Sequence, residues 1–151
     1  MTTYTMLDAM MASPTEPLPI EKRMYQLSVM WQAMENLEKA PNPTVHDWEA
    51  VADAINMMEA LRDIGAVQDP DGALDDAIQA MGKAGYRSLG GANIRLDGPA
   101  IHLMRGILED YCEALNALPA RTMISAHRYA EKRIQSMLKG KKRKNDVVVR
   151  R

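Results

Sequence analysis

The sequence predicts an all-α protein: a compact bundle of about five amphipathic helices, with a flexible N-terminal arm and a basic C-terminal tail. Apolar residues recur at helical spacing in five segments, and proline or glycine separates these segments. The one strand-like run is Val147–Val149. Because the chain has 151 residues, of which 46% are apolar and 26% charged, it is long enough to bury one core. We expect an arm at 1–19, one helical domain at 20–138 and a disordered tail at 139–151.

The arm contains three closely spaced prolines, at positions 14, 17 and 19, which favour extended backbone. The methionines before them would also allow a short helix docked on the body. The first long helix is expected over residues 20–40, because its apolar residues are spaced by three and four and Pro41 follows. Its predicted inward stripe is Ile20, Met24, Leu27, Trp31 and Met34.

The second and third helices have recognisable ends. Thr44 is the expected N-cap of the second helix, with Asp47 completing a capping box, and Gly65 is its expected C-cap. Asp69 and Pro70 are expected to open the third helix, which loses its pattern over residues 82–85. The segment 85–98 has four glycines and no periodicity, so a loop is predicted there.

The fourth and fifth helices flank Pro119. Asp97 is the expected N-cap of the fourth helix, with Pro99 in its first turn. The fifth is expected over 120–138, with Gly140 as its C-cap. Its predicted inward face is Met123, Ala126 or His127, Ala130, Ile134, and Met137 or Leu138.

Charge is distributed unevenly around a net charge of −1. Residues 139–151 hold seven basic residues against Asp146, and the candidate phosphate contacts are Lys139, Lys141, Lys142, Arg143 and Lys144. Two other interpretations are a nuclear localisation signal and a solvated terminus that maintains solubility. Because no aromatic residue is interleaved with this run, base stacking on single strands is not supported.

Residues 47–76 hold nine acids and one basic residue, and this segment supplies three candidate partner-facing residues: Asp53, Glu59 and Asp63. Such acids could face a basic partner, form the solvated side of two helices, or receive the chain's own basic tail. Met30 and Met57 are further candidates, because they lie off the predicted stripes and methionine suits adaptable contacts.

Arg87 and Arg95 lie in the predicted glycine-rich loop, where they could hold an anion or a partner. The alternative is that the glycines only allow the chain to turn. A small hydrolase or ligand-binding bundle that uses this loop is the third and weakest functional hypothesis.

No catalytic, cofactor-binding or metal-ligating residue is assigned, and no cofactor is expected. None of the three histidines follows a Glu by three residues, as a di-iron bundle would require. Cys112 is expected at mid-helix, where no helix terminus activates its thiol, and the glycines match no nucleotide-binding motif. No apolar run approaches a membrane span, and no signal peptide is expected.

Residues 96–140, and above all LPARTMISAHRYAEKRI at 118–134, resemble a segment of small uncharacterised proteins carried by proteobacterial prophages and other mobile elements. The resemblance implies a bacterial or host-cell cytoplasm and an accessory role, and it argues against a nuclear signal. No activity or functional residue follows from it.

Two functional hypotheses therefore lead. The first is a non-enzymatic helical module that binds a protein partner and modulates a host process. The alternative is a nucleic-acid-binding accessory protein that uses the basic tail for phosphate contacts. Neither hypothesis involves a membrane, and both are compatible with a homo-oligomer.

Overall fold

A computed structural model of the chain describes residues 3–148, with side chains for residues 3–139. Within this range the protein is all-helical, as predicted, and no strand is present. Six helices follow in order: α1 (Met6–Met11), α2 (Ile20–Lys39), α3 (Val45–Asp63), α4 (Ala73–Leu89), α5 (Gly98–Ala117) and α6 (Ala120–Val148). None of the described helices is both long and apolar enough to cross a membrane.

α3 is the central helix, since it packs against α2, α4, α5 and α6. The core around it is apolar apart from the phenol of Tyr111, and no other residue with a polar or charged side chain in the described chain is buried. Burial of each large side chain contributes roughly 1.5–3 kcal/mol. The largest fully buried side chains are Met34, Leu37, Val51, Leu61, Leu74, Met104, Leu108 and Leu115.

The predicted N-cap of α3 is confirmed, and Gly65 ends the helix as predicted, one residue after the C-cap Ile64. At the N-terminus the Asp47 amide donates to the Thr44 hydroxyl at 3.2 Å, and the Thr44 amide donates to the Asp47 carboxylate at 2.9 Å. At the C-terminus Gly65 adopts a φ of 82°. There the Ala66 amide donates to the Leu61 carbonyl at 2.8 Å, and the Gly65 amide donates to the Arg62 carbonyl at 3.0 Å. These two bonds form a Schellman motif.

α4 differs from its prediction at both ends. It begins at Ala73 because Gly72 provides a left-handed N-cap, while the Asp69 carboxylate accepts from the Leu74 amide at 3.1 Å. It continues through Gly85 to Leu89, so the loop covers only residues 90–97. The reason is tertiary packing. The Trp48 ring lies so close over Gly85 that a Cβ there would be 3.2 Å from it, so the glycine serves helix packing and not a turn.

α2 has the predicted bounds, but its buried face is rotated from the predicted stripe. Ile20 and Met24 are exposed, whereas Met30, Ala33 and Leu37 are buried. Met30 is only 3% exposed, so its assignment as a partner-facing residue was wrong. Both faces of α2 carry apolar residues, and contact with α3 and α5 determines which face is buried.

The N-terminal arm, which the sequence predicts to be flexible, packs on the body, and the alternative of a short docked helix is confirmed as α1. Thr5 and Asp8 form a capping box that opens α1, and Ala9 and Leu18 are buried. The start of α6 holds the arm, because the Ala120 and Arg121 amides donate to carbonyls of Glu16 and Ser13 at 2.7 and 3.0 Å. The methionines of α1 face solvent.

α6 is longer than predicted. It passes the expected end at Leu138 and the expected C-cap Gly140, and it ends at Val148. The strand-like run at Val147 therefore begins inside a helix. The side chains from residue 140 onward, and residues 149–151 altogether, lie outside the described residues.

Candidate interaction surface

The apolar stripe of α6 is buried in its first half and exposed in its second. Met123 is 2% exposed and Ala126 is fully buried, whereas Ile134 is 38% exposed and Met137 and Leu138 are each 61% exposed. These residues share one helical face. The prediction that this whole face points inward is correct for the first half of the helix and wrong for the second.

The stripe becomes exposed because α6 runs past the end of α3. The two helices run in the same direction: Asp53 lies within electrostatic range of His127, and further along both helices the Tyr129 hydroxyl donates to the Asp63 carboxylate at 3.1 Å. α3 ends at Asp63. Residues 134–148, the α6 extension, therefore project about 22 Å beyond it at 1.5 Å per residue.

The α6 extension also carries the predicted basic run. Lys139 is exposed, and it is the one candidate phosphate contact whose side chain is described. The backbone of α6 places the other four on the same helix. Their side chains lie outside the described residues, so their role as phosphate contacts stays a prediction. The four are Lys141, Lys142, Arg143 and Lys144.

Two of the three acids predicted to face a partner are engaged inside the molecule. Glu59 and Asp63 both pair with Arg62 of α3 and Arg133 of α6, with Arg133 at 3.3 Å from Asp63. Arg62 also reaches Asp75 of α4 at 2.9 Å, and this hydrogen bond raises the pKa of the Arg62 guanidinium. The network ties α3, α4 and α6 together. The chain's own basic helix thus meets this surface through Arg133. Whether the predicted tail also meets it lies outside the described side chains.

Asp53, the third acid, lies on the rim of a groove between α3 and α4, which we call the α3–α4 groove. Its volume is about 280 Å³. Asp53 forms no ion pair or hydrogen bond with any described residue, and partial burial followed by the charge of Glu49 raises the pKa of its carboxyl. The groove is lined by Trp48, Glu49, Ala52, Asp53, Ile55, Asn56, Ile78, Met81 and Gly82.

The other predicted contact residues have structural roles. Met57 is half-buried against the core. Arg87 donates to the Arg95 carbonyl at 2.9 Å, and Arg95 donates to the carbonyl of Ala40. Both guanidinium groups therefore bind backbone carbonyls: Arg87 fixes the 90–97 loop to α4, and Arg95 fixes it to the end of α2.

His127 is a partly buried histidine that contacts the N-terminal arm. Tyr4 packs edge-on against its ring at a centroid distance of 5.1 Å, and its Nδ1 lies 3.6 Å from a Glu131 carboxylate oxygen. Cys112 is half-buried and accepts a weak bond from Asn116 at 3.7 Å. In residues 3–139 no three histidine, cysteine or carboxylate side chains are grouped as metal ligands would be.

Sequence reasoning did not identify the α6 extension as an exposed apolar surface. The signal in the sequence was the length of this helix. Its apolar stripe continues into the basic run, so the helix extends beyond the neighbouring helices that could cover it. Comparison of the chain with protein-family models, curated proteins and solved structures finds no match in any of the three.

Proposed function

We propose that this protein is a non-enzymatic helical module that binds a protein partner through the α6 extension. The observation that carries the proposal is the continuation of one apolar stripe from the buried core into solvent at Ile134, Met137 and Leu138. Contiguous apolar residues at the surface of a folded protein are typical of interaction sites.

The extension also indicates the chemistry of its partner. Residues spaced i, i+3 and i+4 are the anchors with which an amphipathic helix enters an apolar groove. The extension is rich in lysine and arginine, so a groove with an acidic rim would complement it. Each anchor contributes roughly 1.5–3 kcal/mol on full burial, before the cost of association is subtracted.

The resemblance of residues 96–140 supports a proposal about the setting of this activity. We propose that the protein acts in a bacterial or host-cell cytoplasm, as an accessory protein of a phage or mobile element that modulates a host process. The single cysteine fits a reducing compartment.

Affinity capture with paired variants tests the proposal. The double variant Met137→Glu/Leu138→Glu places two charges on the stripe, and Gln135→Glu/Ser136→Glu places the same two charges on exposed residues off the stripe. We expect the first variant to lose captured partner protein at least tenfold and the second to retain it. Equal recovery with both variants would contradict the proposal.

A second candidate function is nucleic-acid binding, which the helical backbone of α6 through Val148 favours. A projecting basic helix has the dimensions that enter a DNA major groove. Fluorescence anisotropy with labelled DNA and RNA at two salt concentrations measures this. The triple variant K141E/K142E/R143E should lower the salt slope by about 0.9 per lost phosphate contact on duplex DNA. An unchanged slope would eliminate phosphate contact by these residues.

A further inference from the structure

We propose that a second copy of this chain is the partner of the α6 extension, and that the extension of one copy lies in the α3–α4 groove of another. This inference rests on the proposed function, because it assigns an occupant to the same surface. It explains both the uncovered stripe and a groove in which neither Glu49 nor Asp53 pairs with a lysine or arginine of the described residues.

The groove is shaped before any partner arrives. Its floor is apolar, with Ala52 on α3 and Ile78 and Met81 on α4. The Trp48 indole N–H donates to the Met81 carbonyl at 3.0 Å, which fixes the two helices against each other. Gly82 has open space where a side chain would stand, so a third helix can approach α4 closely.

The rim of the groove requires positive charge. Asp53 forms no ion pair or hydrogen bond with any described residue, although His127 lies within electrostatic range of it. Glu49 forms one ion pair among them, with the exposed His46 at 3.6 Å. Partial burial, and then the negative charge of Glu49, raise the pKa of Asp53. A lysine or arginine placed between the two carboxylates would relieve their repulsion, and the extension carries five such residues.

The chain's own extension cannot fill its own groove. On α3 the groove spans residues 48–56, which lie in the first half of that helix. α6 passes Asp53 near His127 and then leaves beyond Asp63, so its extension points away from the groove. A second molecule is therefore needed to bring the two surfaces together.

The dimensions and charges agree with this pairing. The groove is about 12 Å long on α3, and the extension is about 22 Å long, both at 1.5 Å per residue. Two extensions packed on each other would bring two basic runs together, which is unfavourable. Pairing of extension with groove brings opposite charges together, and reciprocal exchange about a twofold axis would satisfy both copies.

Sedimentation velocity of the full chain over a concentration series tests the inference. We expect reversible association that weakens as salt is added. The groove variant E49K/D53K and the extension variant K139E/K141E/K142E should each associate at least tenfold more weakly than the wild type. A mixture of the two variants should associate again, because each supplies the charge that the other has lost. All variants should retain the wild-type helical circular dichroism, since Lys139, Glu49 and Asp53 all lie at the surface and none belongs to the buried core.

Three outcomes would overturn the inference: a wild-type monomer at every concentration, undiminished association of the groove variant, or a mixture that fails to associate. The Met137→Glu/Leu138→Glu capture separates this inference from the proposed function. If that variant loses a foreign partner while the wild type stays monomeric, the proposed function stands and this inference fails. If the variant changes neither self-association nor capture, both fail.

Discussion

The two halves of the α6 stripe give a sharp prediction about stability. Met123→Ala and Met137→Ala are the same substitution on the same face of the same helix, but Met123 is 2% exposed and Met137 is 61% exposed. Met123→Ala removes a buried side chain and leaves a cavity, so we expect a loss of about 2–5 kcal/mol. Met137→Ala removes a solvated side chain, and we expect a change within about 0.5 kcal/mol.

Urea unfolding followed by circular dichroism measures both values. The experiment is performed at low protein concentration, so that any self-association does not contribute to stability. The change in helix propensity is the same for both substitutions and cancels in the comparison. A loss above about 1 kcal/mol for Met137→Ala would mean that the stripe is covered within one molecule, and the reasoning about the α6 extension would be wrong.

Three further predictions concern the body. Burial raises the pKa of Tyr111 to about 12, because the folded state favours the neutral phenol. Its contribution to the free energy of unfolding is therefore fully present below the ordinary tyrosine pKa of about 10. That contribution is lost as the pH rises from there through about 12. Tyr111→Phe should remove that part of the pH dependence in urea titrations, and an unchanged profile would refute it. Gly65 has a φ of 82° and Gly106 lies in a helix with open space around it. Replacement by alanine should therefore lower the free energy of unfolding by about 1 kcal/mol or more at Gly65 and raise it by about 0.5–1 kcal/mol at Gly106. Melting temperatures of the two variants that shift in the same direction would contradict this. Arg133→Ala should cost up to about 1 kcal/mol, less at high salt, because its ion pairs are partly exposed. The control Lys132→Ala, which removes no ion pair of the described residues, should cost less; equal losses would show that the network contributes nothing.

Three helix ends could be predicted from the sequence because their signals are local, whereas the predicted ends of α4 and the predicted C-cap of α6 are wrong. Thr44 with Asp47, Gly65 and Asp97 each act within a few residues, so no tertiary information is needed. The structure confirms all three, including the bond of 2.8 Å from the Ala100 amide to the Asp97 carboxylate.

The buried faces were harder to predict because they depend on neighbouring helices. On α2 both faces are apolar, and contact with α3 and α5 decides which is buried, so Met30 was misassigned. Gly85 suggested a loop, but the ring of Trp48 packs over it and α4 continues. Tertiary context overrides local propensity at both positions.

The candidate surface was only partly visible in the sequence. The basic run was evident, but its continuity with the core stripe depends on where α3 ends relative to α6. The acids at 59 and 63 looked available for a partner, and only the fold shows that Arg133 reaches them from α6.

The most direct test of the α6 extension as an interaction surface is the solvent accessibility of the methionine ε-methyl groups. The protein would be labelled with ¹³C at these methyls, and a soluble paramagnetic probe would be added to a dilute and to a concentrated sample. We expect the Met137 signal to broaden in the dilute sample and to be shielded once the protein associates or its partner is added. The Met123 signal should stay shielded throughout. A Met137 methyl that is already shielded in the dilute sample, or that stays accessible in every complex, would contradict this account.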